Sequence, residues 1–540
     1  MENIYDIILV GSGLSAVGCL LALENSGRKI LLVDVGIRDN GKYKVPEGMD
    51  FLSLRYSDNE QYKYFTGEYL ETMVWDKPMT GAQMTPPRKY VVERVEELQP
   101  VISNNFHPLE SLSYGGLGNA WGLGCYVYSD GEIKKTGLDI NDLKKAYSVI
   151  TSLIGVAEPA GSAREYSFGD IRGTLPELKM DNSIEALYIR YNKKMDYFKK
   201  KGLYMGHPPL ALLTEDINDR GHTLYNDMDF YSDNEKSAYR PWITIDKMIS
   251  DGKIKYKGGI YVLSFKEENE YVSVLGYDIK KEENCLLYGR KLVLCTGALG
   301  TARLVIRSFN RQIKRLPVLS NHYTYMPCIN FCQLGIPLSR NKTSMAQAVM
   351  FFDETGNKED VISMALYTYR SLLLQRIIQE SPFNYRESLR IMKYLQSAFV
   401  IFGIHYPDEY YEEKYLELRD GINSITNDYL YINFNQSKKI IKWIENKEGK
   451  IKRFLLKLGC IPLKSINPGN GASIHYGGVL PFNKEFNGIR LTNKGLLKPT
   501  NNVYIADSSG FQYLPAKGIS FTIMANAYNV GINVKNEHSY

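Results

Sequence analysis

Apolar and polar positions change rhythm several times along the chain, and each rhythm predicts a different kind of element. Residues 5–10 (YDIILV) are nearly unbroken in apolar character, as in a strand buried on both faces, and residues 29–33 (KILLV) repeat the signal. Residues 14–25 between them read as a helix, so the chain opens with a βαβ unit. From about 40 to 105 the pattern dissolves into Tyr-rich polar sequence with scattered Pro, which predicts an excursion or lid rather than core. Strands return in GGIYVLSF, YVSVLGY and RKLVLCTG, and GTARLVIRSF predicts a helix after them. Beyond residue 311, TYMPCINFCQLG, SMAQAVMFFD and SAFVIFGIHYP predict longer strands of an antiparallel sheet, with a Tyr- and Lys-rich helical stretch over 370–395. From about 465 the chain is punctuated by Gly and closes on a helix over 521–529.

A chain of 540 residues exceeds what one hydrophobic core usually serves, so at least two domains are expected. The net charge of +6 is too small over this length to indicate nucleic acid. Locally, residues 438–464 hold nine Lys or Arg against Glu445 and Glu448, interleaved with apolar residues at helical spacing. That segment reads as a solvated helix face, with a peripheral contact to an acidic partner or membrane surface as the sharper alternative. The seven cysteines are scattered, and Cys328 and Cys332 have no nearby His partners, so no metal site is expected and a reducing cytoplasm fits best. MENIYDIILVGSG enters a strand without a basic segment or cleavage site, and no apolar run reaches the roughly 20 residues of a spanning helix.

The turn after the first strand carries Gly11, Gly13 and Ala16 at GxGxxA spacing, with Leu14 and Ser15 opening the helix. Gly11 allows the tight turn, Gly13 lets backbone approach a pyrophosphate at the helix N-terminus, and Ala16 lets helix and strand pack closely. Asp34 ends the second strand, where an acid suits the two ribose hydroxyls of an adenosine. Nucleotide binding follows, but the motif alone does not separate FAD from NAD. Three later stretches add to it. YGGLGNAWGLGCY places Gly116, Gly118, Asn119 and Trp121 in a loop too small-sided to build core. LVLCTGALG makes a second strand-to-helix turn through Gly297, and NVYIADSSG carries Asp507 and Ser508 after a strand.

With these four stretches the chain resembles the glucose-methanol-choline (GMC) oxidoreductase family, over its first forty residues, about 110–130, 255–310 and 465–531. The resemblance implies an α/β fold: a Rossmann-like FAD-binding domain discontinuous in sequence (1–155, 225–310 and 456–540) and a substrate-binding domain on an antiparallel sheet with helices (156–224 and 311–455). It further implies that Gly11, Gly13, Ala16 and Asp34 hold the ADP half and that Val262 lines the adenine pocket. Gly116, Gly118 and Trp121 would lie against the flavin, Asp507 would serve its phosphate or ribityl side, and backbone near Thr522 would face the pyrimidine ring. Some relatives attach the flavin to a His immediately before the position of Trp121; this chain has Ala120, so a noncovalent FAD is expected.

In GNGASIHYGGVLPF, His475 followed by Gly478 matches the family's catalytic spacing. Hydride leaves a carbinol carbon far more readily once its hydroxyl has lost the proton, and a neutral imidazole is the natural base. His405 in FVIFGIHYP points either into the substrate cavity or, the blander reading, into a satisfied sheet position. The family's second Asn or His at the mouth of the last helix falls on Gly518, which has no side chain; Lys517, Ser520 or Tyr513 would have to stand in, Lys517 by stabilising an alkoxide. The expected activity is oxidation of a CH–OH group, with a sugar or other polyol as first candidate and oxygen or another acceptor taking the electrons. A non-redox flavoprotein lyase or isomerase of the same fold is the alternative.

Overall fold

The computed structural model describes residues 4–69, 84–172, 175–368, 381–422 and 424–536. Its first body is built on five strands in the order Lys255–Lys257, Ile30–Val33, Tyr5–Val10, Glu283–Leu294 and Val503–Ile505, all parallel where they meet. Ile7, Leu9, Leu32 and Val33 are fully buried, as unbroken apolar strands covered on both faces must be. The twelve-residue strand Glu283–Leu294 does two jobs. Its first half closes an antiparallel meander with Val272–Asp278 and Ile260–Glu267, and its last residues enter the parallel sheet. Register aligns Val33 and Leu294 with Val10, and Ile505 with Leu294, so four strands end at one level. The loops leaving that level begin at Gly11, Asp34, Cys295 and Ala506, and the carboxyl edge of such a sheet is where ligands bind.

Above the sheet, Leu14–Leu23 crosses the closing helix Ser520–Asn536 at very short range. A Cβ at Gly18 would lie 2.2 Å from the carbonyl oxygen of Met524, and one at Gly531 would lie 2.7 Å from that of Cys19. The closing helix thus begins one residue earlier and runs seven further than the expected 521–529.

The second body is a six-stranded antiparallel sheet in the order Cys460–Pro462, His322–Asn330, Phe399–Tyr406, Ile362–Thr368, Ala348–Phe352 and Leu203–Gly206. Alternation splits its two faces. Met326, Phe402, Ile404, Met364 and Met350 pack on the helices Asn182–Asn192 and Lys438–Lys457, while Tyr323, Tyr325, Ser363, Tyr367 and His405 face the first body. In the basic helix Lys438–Lys457, Ile444, Ile451 and Leu455 are buried and Lys438, Lys439, Lys442, Arg453 and Lys457 are exposed. Of the helical stretch expected over 370–395, Tyr385–Leu395 is a helix and residues 369–380 lie outside the described residues.

A smaller sheet (Val101–Asn104, Asp428–Phe434, Lys414–Asp420, Leu316–Pro317) buries Leu416, Leu430, Ile432 and Phe434 in the core of the first body. It is clamped there by Asp428, which accepts from Arg307 at 2.7 and 2.9 Å and from Arg311 at 3.2 Å. No described helix is long and apolar enough to cross a membrane.

Candidate active site

Between the carboxyl edge of the parallel sheet and the inner face of the antiparallel sheet runs one continuous cavity of about 360 Å³. Of the residues singled out from the sequence, Gly11, Gly13, Leu14, Ser15, Asp34, Gly116, Gly118, Trp121, Val262, Gly297, Asp507, Ser508 and His475 line it. Four do not. Ala16 is buried behind the turn, where it spaces helix from strand, and Asn119 turns inward to donate to the carbonyl of Tyr114 at 2.8 Å. Thr522 meets the hydroxyl of Tyr147 at 2.7 Å. Lys517 is buried on the far side of its loop, its ammonium donating to Glu132 at 2.6 Å and to the carbonyl of Val127 at 3.1 Å, so its charge is neutralised there and not directed at the cavity.

At the sheet end, Gly11 takes φ +95°, and a Cβ there would lie 2.6 Å from the carbonyl of Cys295, so only glycine lets the two loops touch. A Cβ at Gly13 or Gly297 would meet nothing within 4 Å. One at Gly116 would sit 3.4 Å from the Cα of Gly13, so two bare backbone loops come together at the cavity wall beside the N-terminus of Leu14–Leu23. That helix end presents unpaired N–H groups. Asp34 hydrogen-bonds Ser12, whose hydroxyl also accepts from the Gly115 N–H at 2.8 Å, tying the first turn to the glycine loop. Burial pushes the Asp34 carboxyl up to about 7 against the lowering effect of hydrogen bonds from the Ser12 hydroxyl and the Val35 and Gly36 N–H groups. The Asp507 carboxylate is engaged within the protein: Thr301 donates to it at 2.6 Å and the Ser509 N–H at 2.9 Å, which shapes the turn at the cavity wall. Bare glycine surfaces, a helix N-terminus and an acid at the second strand's end fit an adenine dinucleotide, with the remaining length of cavity open toward His475.

His475 is positioned by a two-residue strand pairing. Leu319–Ser320 lies antiparallel to Tyr476–Gly477, with Ser320 opposite Tyr476, which brings the next residue, Asn321, to His475. Ser508 donates to the Tyr476 carbonyl at 2.6 Å from the other side. Ile474 holds φ +59°, a strained conformation for a β-branched residue, and Gly478 holds φ +69° where a Cβ would lie 2.7 Å from Leu319. Asn321, buried, donates its amide to the carbonyls of Tyr406, Leu514 and Pro515 at 2.9, 3.2 and 3.1 Å. Its Oδ1 is therefore the acceptor, and His475 Nδ1, 3.0 Å away, must carry the proton. The lone pair is left on Nε2, which no described residue hydrogen-bonds. Burial lowers the His475 pKa to about 4, so the imidazole is neutral and able to accept a proton throughout the neutral range.

Several lining residues escaped the sequence reading. Ser12 is the variable position of the glycine motif. Arg303, 2% exposed, makes a two-point ion pair with Glu110 at 2.6 and 2.7 Å. His405 stacks on His475 with ring centroids 4.9 Å apart and planes 20° apart, so its cavity-facing reading is the correct one and the satisfied-sheet reading fails. Tyr323, Tyr325, Tyr367 and Ser363 come with it on the same sheet face, a period-2 signal that alternation alone would have exposed.

No protein-family model matches the chain, and no curated sequence is detectably similar to it. Among solved structures, pyridoxine 4-oxidase from Mesorbium loti superposes with a TM-score of 0.57 over 99% of this chain and 100% of that one, at 13% identity. The chain therefore has the GMC oxidoreductase fold expected from its motifs, and at that identity the likeness concerns the fold.

Proposed function

We propose that this protein binds FAD noncovalently and oxidises the CH–OH group of an uncharged alcohol, with His475 as the general base. The observation that carries the reading is that His475 keeps a basic Nε2, its tautomer fixed by Asn321, in the same cavity as the glycine-lined cradle. Gly11, Gly13, Gly116 and Gly297 would give backbone to the dinucleotide, Asp34 would take the adenosine ribose, and Trp121 would wall the ring end. Bound flavin would supply the acceptor for the hydride leaving the carbinol carbon. The chain's own part is to hold the hydroxyl at Nε2, take its proton, and keep water out while it does so. Trp121 is itself held by its indole N–H, which donates to the Tyr239 carbonyl at 2.9 Å.

Both arginines that line the cavity are paired within the protein, Arg303 with Glu110 and Arg307 with Asp428. The described residues around His475 contribute tyrosine and serine hydroxyls, a second imidazole and small apolar groups, which supports a neutral polyol such as a sugar. The neighbour's substrate, pyridoxine, is likewise an alcohol. An anaerobic screen of alcohols watched at the flavin absorption band tests the reading. Bleaching by at least one alcohol is expected, slowed roughly 10²–10⁴-fold by His475→Ala. A colourless protein, or an unchanged rate in the variant, rules the reading out; catalytic turnover without bleaching would point instead to the non-redox lyase or isomerase.

A further inference from the structure

We propose that His405 is a second catalytic residue, donating a ring N–H to the carbinol oxygen while His475 removes its proton; the inference rests on the functional reading above. In relatives the chain resembles, the final helix supplies the second group; here the mouth of that helix brings to the cavity one hydroxyl, that of Ser520, and no imidazole or amide. A Cβ at Gly518 would already lie 3.3 Å from the Tyr126 ring, and Lys517 is committed to Glu132. The antiparallel sheet fills the gap from the opposite wall. Register pairs His405 with Tyr323 on one side and Ser363 on the other, all on the cavity face, while the flanking Ile404 and Tyr406 point into the helix-packed core.

Three observations make His405 more than lining. Its ring packs against Tyr323, with centroids 4.3 Å and planes 32° apart, and stacks on His475 at 4.9 Å, and both imidazoles line the same cavity. Neither of its nitrogens hydrogen-bonds a described residue, whereas its neighbours are satisfied: His475 Nδ1 by Asn321, Ser363 by the Ala516 carbonyl. Its ring lines the cavity and is only partly buried, so an entering hydroxyl can supply the partner. Finally, burial and the neighbouring His475 hold the His405 pKa well below the ordinary value, so it is neutral and has one N–H and one lone pair to offer. In the proton step the substrate O–H bond breaks, an Nε2–H bond forms on His475, and the electron pair stays on the alkoxide oxygen, which accepts the His405 N–H. Two imidazoles this close hold one added proton far more readily than two, so His405 stays neutral when His475 is charged.

His405→Phe keeps the ring and the stack and removes both nitrogens; His405→Asn restores an N–H donor, and His405→Leu is its donor-free counterpart. Each would be loaded with FAD and mixed anaerobically with D-glucose, glycerol, benzyl alcohol and cyclohexanol. The Phe variant is expected to retain the parent's melting midpoint and flavin spectrum, and to reduce its flavin roughly 10²-fold more slowly at saturating alcohol with little change in KM. Asn should recover part of the rate and Leu none, a comparison that holds even if Phe fails to fold. Ring ¹⁵N signals of the His405 imidazole should also shift when the productive alcohol is added. A Phe or Leu variant as fast as the parent overturns the proposal alone; a parent bleached by no alcohol overturns the functional reading and this with it.

Discussion

Asn321 sets the chemistry of its neighbour although it does not itself line the cavity. Because it holds the proton on His475 Nδ1, the basic nitrogen is Nε2. A base works only while deprotonated, so the rate is lost as pH falls through its folded-state pKa, which burial has lowered to about 4. Flavin reduction measured against pH should therefore hold its plateau down to about pH 5, well below the 6.5 of an ordinary histidine. Asn321→Asp places a carboxylate against Nδ1, favours the imidazolium, and should move that acid limb upward by roughly 1–3 pH units. An unmoved limb would mean that another group limits the rate. Asn321→Leu should lower the rate without the upward move, since it frees the tautomer but adds no charge.

At the scale of elements, the strands at 5–10 and 30–33 and the turn between them were legible because a βαβ unit buried on both faces writes its pattern locally. The pairing that aims His475 was not. Leu319–Ser320 and Tyr476–Gly477 are two residues each, joined across more than 150 positions, and neither carries a period of its own. His475 was found from its glycine-rich setting, whereas SNHY around Asn321 holds nothing to distinguish it. Lys517 stood in the right sequence neighbourhood but the loop turns it toward Glu132, a contact that only tertiary structure decides. The crossing of Leu14–Leu23 with Ser520–Asn536 is likewise visible only in three dimensions, and it makes a sharp prediction. Gly18→Val drives its Cβ into backbone that cannot rotate away, so it should destabilise the protein by at least about 2 kcal/mol, read as a lower denaturation midpoint. Asp428→Asn leaves Arg307 buried beside a weakened partner and should cost about 3 kcal/mol, while Asp420→Asn, whose partner Arg311 is far more exposed, should cost under about 1.

Over the whole molecule, the cradle exists only when distant segments meet: the first turn at 11–15, the glycine loop at 116–121, the turn at 295–297 and the loop at 507–508. An unfolded chain has no such assembly and hence no comparable affinity for the dinucleotide. Binding to the folded state alone stabilises it by RT ln(1 + [L]/Kd), about 2.7 kcal/mol at a hundredfold excess over Kd. With Ala120 at the position where some relatives carry the flavin-linking His, nothing there holds the cofactor once the fold is lost. Heat- or acid-denatured protein should release its yellow colour to the supernatant, and colour retained in the pellet would contradict noncovalent binding. The stripped chain should melt lower than the loaded one, and added FAD should raise its midpoint in a concentration-dependent way. ADP should raise it too, by less, because the first turn and Asp34 would grip that half by themselves; a chain that answers to neither ligand has no dinucleotide cradle at all.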